Sequence, residues 1–135
     1  MFNEYQKVTR DRIIVIVDKL EHELGLDGWL QITHRFDTGH DGDIYDDDGK
    51  VSPTTAITTT QWQYRTAQIR WFLPVASTQT DEQLELTAIH ELVHAVLAPT
   101  YELLPNKPGV DKLNEYVTES LCRMIGHARG MTNVR

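Results

Sequence analysis

His90, Glu91 and His94 stand in the order H-E-x-x-H, a spacing with a definite chemical use. Two histidines four residues apart lie on one face of an α-helix, a turn from each other. Both imidazoles can then reach one tetrahedral metal ion, and the glutamate after the first histidine can exchange a proton with a water on that metal. A histidine pair can also be satisfied by carbonyl groups, and the bare motif arises by chance. A second segment, further along the chain, strengthens the metal reading.

That segment is Asn114-Glu115-Tyr116-Val117-Thr118-Glu119, within a helical pattern over residues 110–128. Leu113, Val117, Leu121 and Met124 form an apolar stripe at spacings of three and four. Glu115 and Glu119 fall on roughly the opposite side, one turn apart, with Cys122 close to them. Like charges at this spacing repel by about 0.2–0.5 kcal/mol on an open helix, and by more if buried. The two carboxylates therefore call for a cation or a histidine proton nearby; the bland alternative is a solvated acidic face. Together the two segments supply two histidines, a ligand carboxylate and a further carboxylate. That donor set is typical of a catalytic zinc site with three protein ligands and an outer shell.

These residues, H-E-x-x-H followed after about twenty positions by N-E-x-x-T-E, resemble the gluzincin metallopeptidases, in particular the small single-domain minigluzincins and related phage-encoded peptidases. The likeness spans residues 69–125. It implies that His90, His94 and Glu115 bind Zn2+, that Glu91 is the general base, and that Glu119 hydrogen-bonds a ligand histidine. Thr118 and Glu119 stand where the family has serine and aspartate. The implied activity is zinc-dependent hydrolysis of peptide bonds in a peptide or protein substrate. The resemblance also implies that the strand before the motif helix, carrying Ala67, Ile69, Trp71 and Leu73 over residues 67–73, is a sheet edge that pairs with extended substrate. For stabilising the oxyanion, Tyr101, Tyr116 and His127 are available; Tyr101 ranks first, because a loop residue can adapt.

The elements that must position this site follow from local patterns. Thr80 can cap the motif helix, with Gln83 as its capping-box partner, and Asp81 and Glu82 suit the positive end of the dipole. Leu84, Leu86, Ala88, Ile89, Leu92, Val93, Val96 and Leu97 make the helix apolar almost all round, so it belongs at the centre of a domain. Pro99 is expected to end it, leaving residues 99–109 as a loop containing Tyr101. Upstream, residues 6–24 read as a helix stopped by Gly25, although Ile13 to Val17 alone would suit a strand. Residues 29–36 alternate as a strand with Leu30, Ile32, His34 and Phe36 on one side. Residues 37–50 are acidic and glycine-punctuated. No register there gives a calcium loop, so a solvated loop is expected, and His22, His34 and His40 are not expected to be ligands. Residues 54–75 read as two strands or one bent strand. Trp62 and Tyr64 share one phase, and a turn or bulge is expected near Arg65.

The expected architecture is α+β: an N-terminal helix, a small twisted sheet of about three strands, and two C-terminal helices carrying the metal site, a minimal zincin fold. The chain of 135 residues is read as one domain, and its hydrophobic share of 40% is ordinary for a soluble protein. A net charge of −7 argues against binding a nucleic-acid backbone. A single cysteine excludes an internal disulfide and suits a reducing compartment. With no basic leader and no apolar run long enough to span a membrane, the expected location is cytoplasmic, in the host if phage-encoded. Two other readings are open. One is a zinc-binding interaction protein that uses the same scaffold without turnover. The other is a zincin acting on DNA-crosslinked proteins, which should show a third histidine and a basic surface; this acidic chain has neither at the expected place.

Overall fold

The β-branched run near the N-terminus folds as a helix. In the computed structural model, which describes residues 2–39, 44–45, 51–52, 54–104 and 108–131, helix α1 covers Glu4–Glu23. Thr9, Ile13, Val17 and Leu20 are buried at spacings of four and three, while Val15 is exposed. Helical periodicity across the whole segment therefore overrides the local strand preference. The helix starts two residues earlier than its apolar pattern because Asn3 and Gln6 form a reciprocal capping box. Gly25, at φ +74°, occupies the left-handed position after its end.

The protein is α+β, with a three-stranded mixed sheet of β1 (Gln31–Asp37), β4 (Ala56–Gln61) and β5 (Thr66–Phe72). The strand order is β1-β5-β4, with β1 parallel and β4 antiparallel to β5. Between β1 and β4, β2 (Ile44–Tyr45) and β3 (Val51–Ser52) form a separate short antiparallel pair, where only an irregular loop was expected. His40, Asp41, Asp43, Asp46, Asp47 and Asp48 lie outside the described residues. The expected turn near Arg65 is present. A 3-10 turn at Trp62–Tyr64 leads into Arg65 at φ 55°, so Trp62 and Tyr64 do not share a strand face.

One expectation is overturned by this topology. The strand over residues 67–73 is not a sheet edge, because β5 is hydrogen-bonded to β1 on one side and β4 on the other. Its Ala67, Ile69, Trp71 and Phe72 are all buried, as suits a central strand with little polar surface to offer water. The threonine-rich β4 is the edge on the side of the motif helix.

After the short helix α2 (Leu73–Ala76), helix α3 covers Asp81–Glu102 with the expected Thr80–Gln83 capping box. Pro99 does not end it. The missing proline N–H removes one bond near the C-terminus, and the chain keeps its helical course, with Leu103 N–H closing on the Pro99 carbonyl at 3.3 Å. Tyr101 therefore belongs to the last turn of α3 and not to a loop.

Helix α4 covers Val110–Ala128, preceded by Gly109 at φ +92°. Its buried face differs from the apolar stripe. Leu113 and Met124 are exposed, whereas Thr118, Cys122 and Gly126 are buried at i, i+4 and i+8. Small side chains on that row let the backbone of α4 come close to its neighbour, and its contacts are with α3. At the end of α4, Arg129 ion-pairs with Glu23 of α1 and Glu85 of α3. The core lies between the sheet and the helices, with Trp71, Phe72, Ile13, Leu20, Ile69, Leu84, Ile89 and Leu92 fully buried. Among the described residues no helix is long and apolar enough to cross a membrane.

Candidate metal centre

The i,i+4 spacing on α3 puts the two histidine rings together, 4.6 Å between centroids and nearly perpendicular. Their Nε2 atoms face each other at 3.0 Å. Helix α4 brings both carboxylates alongside. Glu115 Oε1 lies 3.6 Å from His94 Nε2, and Glu119 Oε1 lies 2.9 Å from His90 Nδ1. His90, His94, Glu115 and Glu119 thus converge, and the close approach of α4 through Thr118 and Cys122 makes this possible.

These distances can be tested against an ion. Bonds of about 2.0–2.1 Å in a tetrahedron place neighbouring ligand atoms about 3.3 Å apart. The Nε2···Nε2 distance of 3.0 Å and the Nε2···Oε1 distance of 3.6 Å fall either side of that value. Two edges of a tetrahedral ligand set are therefore in range, from His90 to His94 and from His94 to Glu115. Glu119 sits on the other nitrogen of His90. A carboxylate in that position can accept an Nδ1 proton, which would leave the Nε2 lone pair for a metal. Two groupings of ligand atoms have the compactness of a cation site, His90 with Glu91 and His94, and His90 with Glu115 and Glu119, each within 4.8 Å.

The Glu91 carboxylate lies within 4.8 Å of ring nitrogens of His90 and His94, lines the cavity, and also reaches across the contact between α3 and β4. Its residue is 6% exposed, and its Oε1 accepts a hydrogen bond from Thr58 Oγ1 at 3.0 Å. Burial pushes the carboxyl pKa up to about 7; the Thr58 hydrogen bond opposes this and the charge of Glu115 adds to it. The His94 pKa is pushed down, first by burial and then by His90, against the pull of Glu115 and Glu119. Cys122 is buried, and burial, aided by the carboxylates of Glu119, Glu91 and Glu115, pushes its thiol up to about 12. It stays a protonated thiol and makes a poor ligand.

A cavity of about 630 Å³ opens over this cluster, walled by Thr58 and Thr60 of β4, by Tyr101 and Glu102 of α3, and by Asn114 and Glu115 of α4. Of the three residues considered for the oxyanion, Tyr101 lines the cavity; Tyr116 and His127 are exposed elsewhere. Of the lining residues, Asn114 belongs to the second sequence segment, whereas sequence reasoning missed Thr58 and Glu102. For Thr58 the only signal was a threonine at a core-facing register position, between Ala56 and Thr60. His34 and His22, by contrast, have structural partners. His34 bridges Glu21 at 2.7 Å and the Trp71 indole N–H at 3.0 Å, and His22 pairs with Asp27 at 2.9 Å.

No protein-family model matches this chain, and neither does any curated protein or solved structure.

Proposed function

We propose that this protein is a zinc-dependent metallopeptidase of the gluzincin type. The observation that carries the reading is the convergence of His90, His94 and Glu115 on the floor of an open cavity, with the two histidine Nε2 atoms 3.0 Å apart and Glu115 Oε1 3.6 Å from His94 Nε2. The two imidazoles and one carboxylate favour zinc among common divalent ions. Zinc held there would supply Lewis-acid polarisation of a water and of the peptide carbonyl.

The chain's own residues take the other parts. Glu119 holds the His90 ring in its metal-binding tautomer. Glu91, with its carboxyl pKa near 7, is suited to take a proton from the attacking water and hand it to the leaving amine. The outer edge of β4 offers backbone N–H and C=O groups to an extended peptide, a means of strand addition beside the cluster. The Tyr101 hydroxyl is the group we assign to the developing oxyanion. A lone buried thiol supports a reducing, cytoplasmic setting.

The test is cleavage of a peptide library by the purified, zinc-loaded protein and by Glu91→Gln, which preserves shape and removes the base. Wild type is expected to cleave and the variant to hold stoichiometric zinc while losing about 10²–10⁴-fold in rate. Equal cleavage by both would sink the enzyme reading. Zinc retention with no cleavage by either would favour a non-catalytic zinc-binding interaction protein.

A further inference from the structure

We infer that Thr58 is the positioning residue of Glu91, the group that aims the base from the edge strand, an inference that rests on the peptidase reading above. Thr58 occupies a core-facing position on β4. Its partner across the ladder is Ile69, fully buried, and on the same face Ala56 and Thr60 stand opposite Trp71 and Ala67. Valine has the shape of threonine and would satisfy such packing, so the hydroxyl is not there for the core.

That hydroxyl has one hydrogen to donate, and both acceptors within reach belong to Glu91: Oε1 at 3.0 Å and the main-chain carbonyl at 3.2 Å. The carbonyl lies inside α3, where the next turn of the helix supplies an N–H. Among the described residues, the groups that hydrogen-bond the Glu91 side chain both belong to Thr58, its hydroxyl and its main-chain N–H. Neither His90 nor His94 bonds Thr58, so loss of the hydroxyl leaves the ligand set intact while reducing the hold on the carboxylate to the Thr58 main-chain N–H. The strand that borders the cavity, and not the helix carrying the metal ligands, therefore decides where the base points. A displacement of about 1 Å at such a group can cost about 10²-fold in rate.

The experiment compares wild type, Thr58→Val and Thr58→Ser, each loaded with zinc, on a peptide that wild type cleaves. Thr58→Val should keep its zinc content and a KM within about twofold, and lose about 10–100-fold in kcat. Thr58→Ser, which restores the donor, should recover most of that loss. Thr58→Ala provides the same comparison should the valine variant fold poorly. A second readout needs no activity: the folding equilibria of wild type, Thr58→Val, Glu91→Ala and the double variant, measured in chelator. The two substitutions should be non-multiplicative by about tenfold or more, as for a hydrogen bond to a charged group. If wild type cleaves and Thr58→Val matches its kcat, if serine does not rescue, or if the folding effects multiply, the inference is overturned while the peptidase reading stands. If wild type cleaves no peptide, the peptidase reading fails and the inference falls with it.

Discussion

Glu119 and His90 form the contact that orients the cluster: Oε1 of the glutamate lies 2.9 Å from Nδ1 of the imidazole, while the Nε2 edge of the same ring faces His94. The two carboxylates of α4 thus take different sides of the histidines, one turn of helix apart. Glu115 reaches the Nε2 side and Glu119 the Nδ1 side. This separation gives them distinct expected consequences on mutation.

Glu115→Ala should lose zinc at equilibrium, because it removes a ligand. Glu119→Ala should retain zinc with affinity about 10–100-fold weaker, the usual effect of deleting an outer-shell carboxylate. Competition with a chromogenic chelator measures both. Equal loss in the two variants would erase the distinction.

Zinc should raise the thermal midpoint of the folded protein, and a chelator should return it reversibly. Binding to the folded form alone stabilises by about 4 kcal/mol when free zinc is a thousand times Kd. Scanning calorimetry over a zinc series reads the effect directly. A midpoint independent of zinc would mean that the four converging side chains hold no ion.

In the metal-free protein, stability should fall as pH rises through the interval from about 4.5 to about 7. Burial raises the Glu91 pKa from 4.5 to about 7, so below 4.5 both folded and unfolded chains carry it neutral. Between those values the unfolded chain ionises first, and above 7 the folded state bears the full cost, roughly 3 kcal/mol as an upper figure. Urea denaturation in chelator at pH 5 and pH 8 tests this. Glu91→Gln should flatten the dependence and exceed wild type in stability at pH 8. An unchanged slope in the variant would assign the effect to another group.

Cys122 should resist iodoacetamide at pH 8 until the protein unfolds. Burial on the α3–α4 contact and three neighbouring carboxylates keep it a thiol, with a pKa near 12, and the thiolate is the reactive form. Mass spectrometry of native and urea-treated samples would show labelling in the unfolded state alone. Rapid native labelling would place the side chain in solvent.

The residues that sequence spacing could identify were those whose relation is local. A helix turn is short enough for His90 and His94, or Glu115 and Glu119, to be paired by counting. The Thr80–Gln83 capping box, the Gly25 stop and the turn at Arg65 were legible for the same reason: each is decided within a few residues by backbone sterics and short-range hydrogen bonds.

What lay beyond reach was set by distant partners. The family resemblance puts residues 67–73 at a sheet edge, but their pairing on both flanks depends on β1 and β4, segments distant in the chain that take opposite sides of β5. The face of α4 was read from its larger apolar side chains. The small row of Thr118, Cys122 and Gly126 is buried because α3 approaches there, and close approach favours small volume over hydrophobicity. Pro99 looked like a terminus, yet one lost hydrogen bond near a helix end is a minor term beside the remaining helical bonds. Thr58 belongs to the same class. Its hydroxyl and the Glu91 carboxylate are 33 residues apart in the chain, and only the packing of β4 on α3 brings them within 3.0 Å. The sequence by itself determined the ligand types and their order along two helices; the tertiary structure decided which carboxylate faces which nitrogen, and which strand borders the cavity, because those are contests between surfaces that no local pattern records.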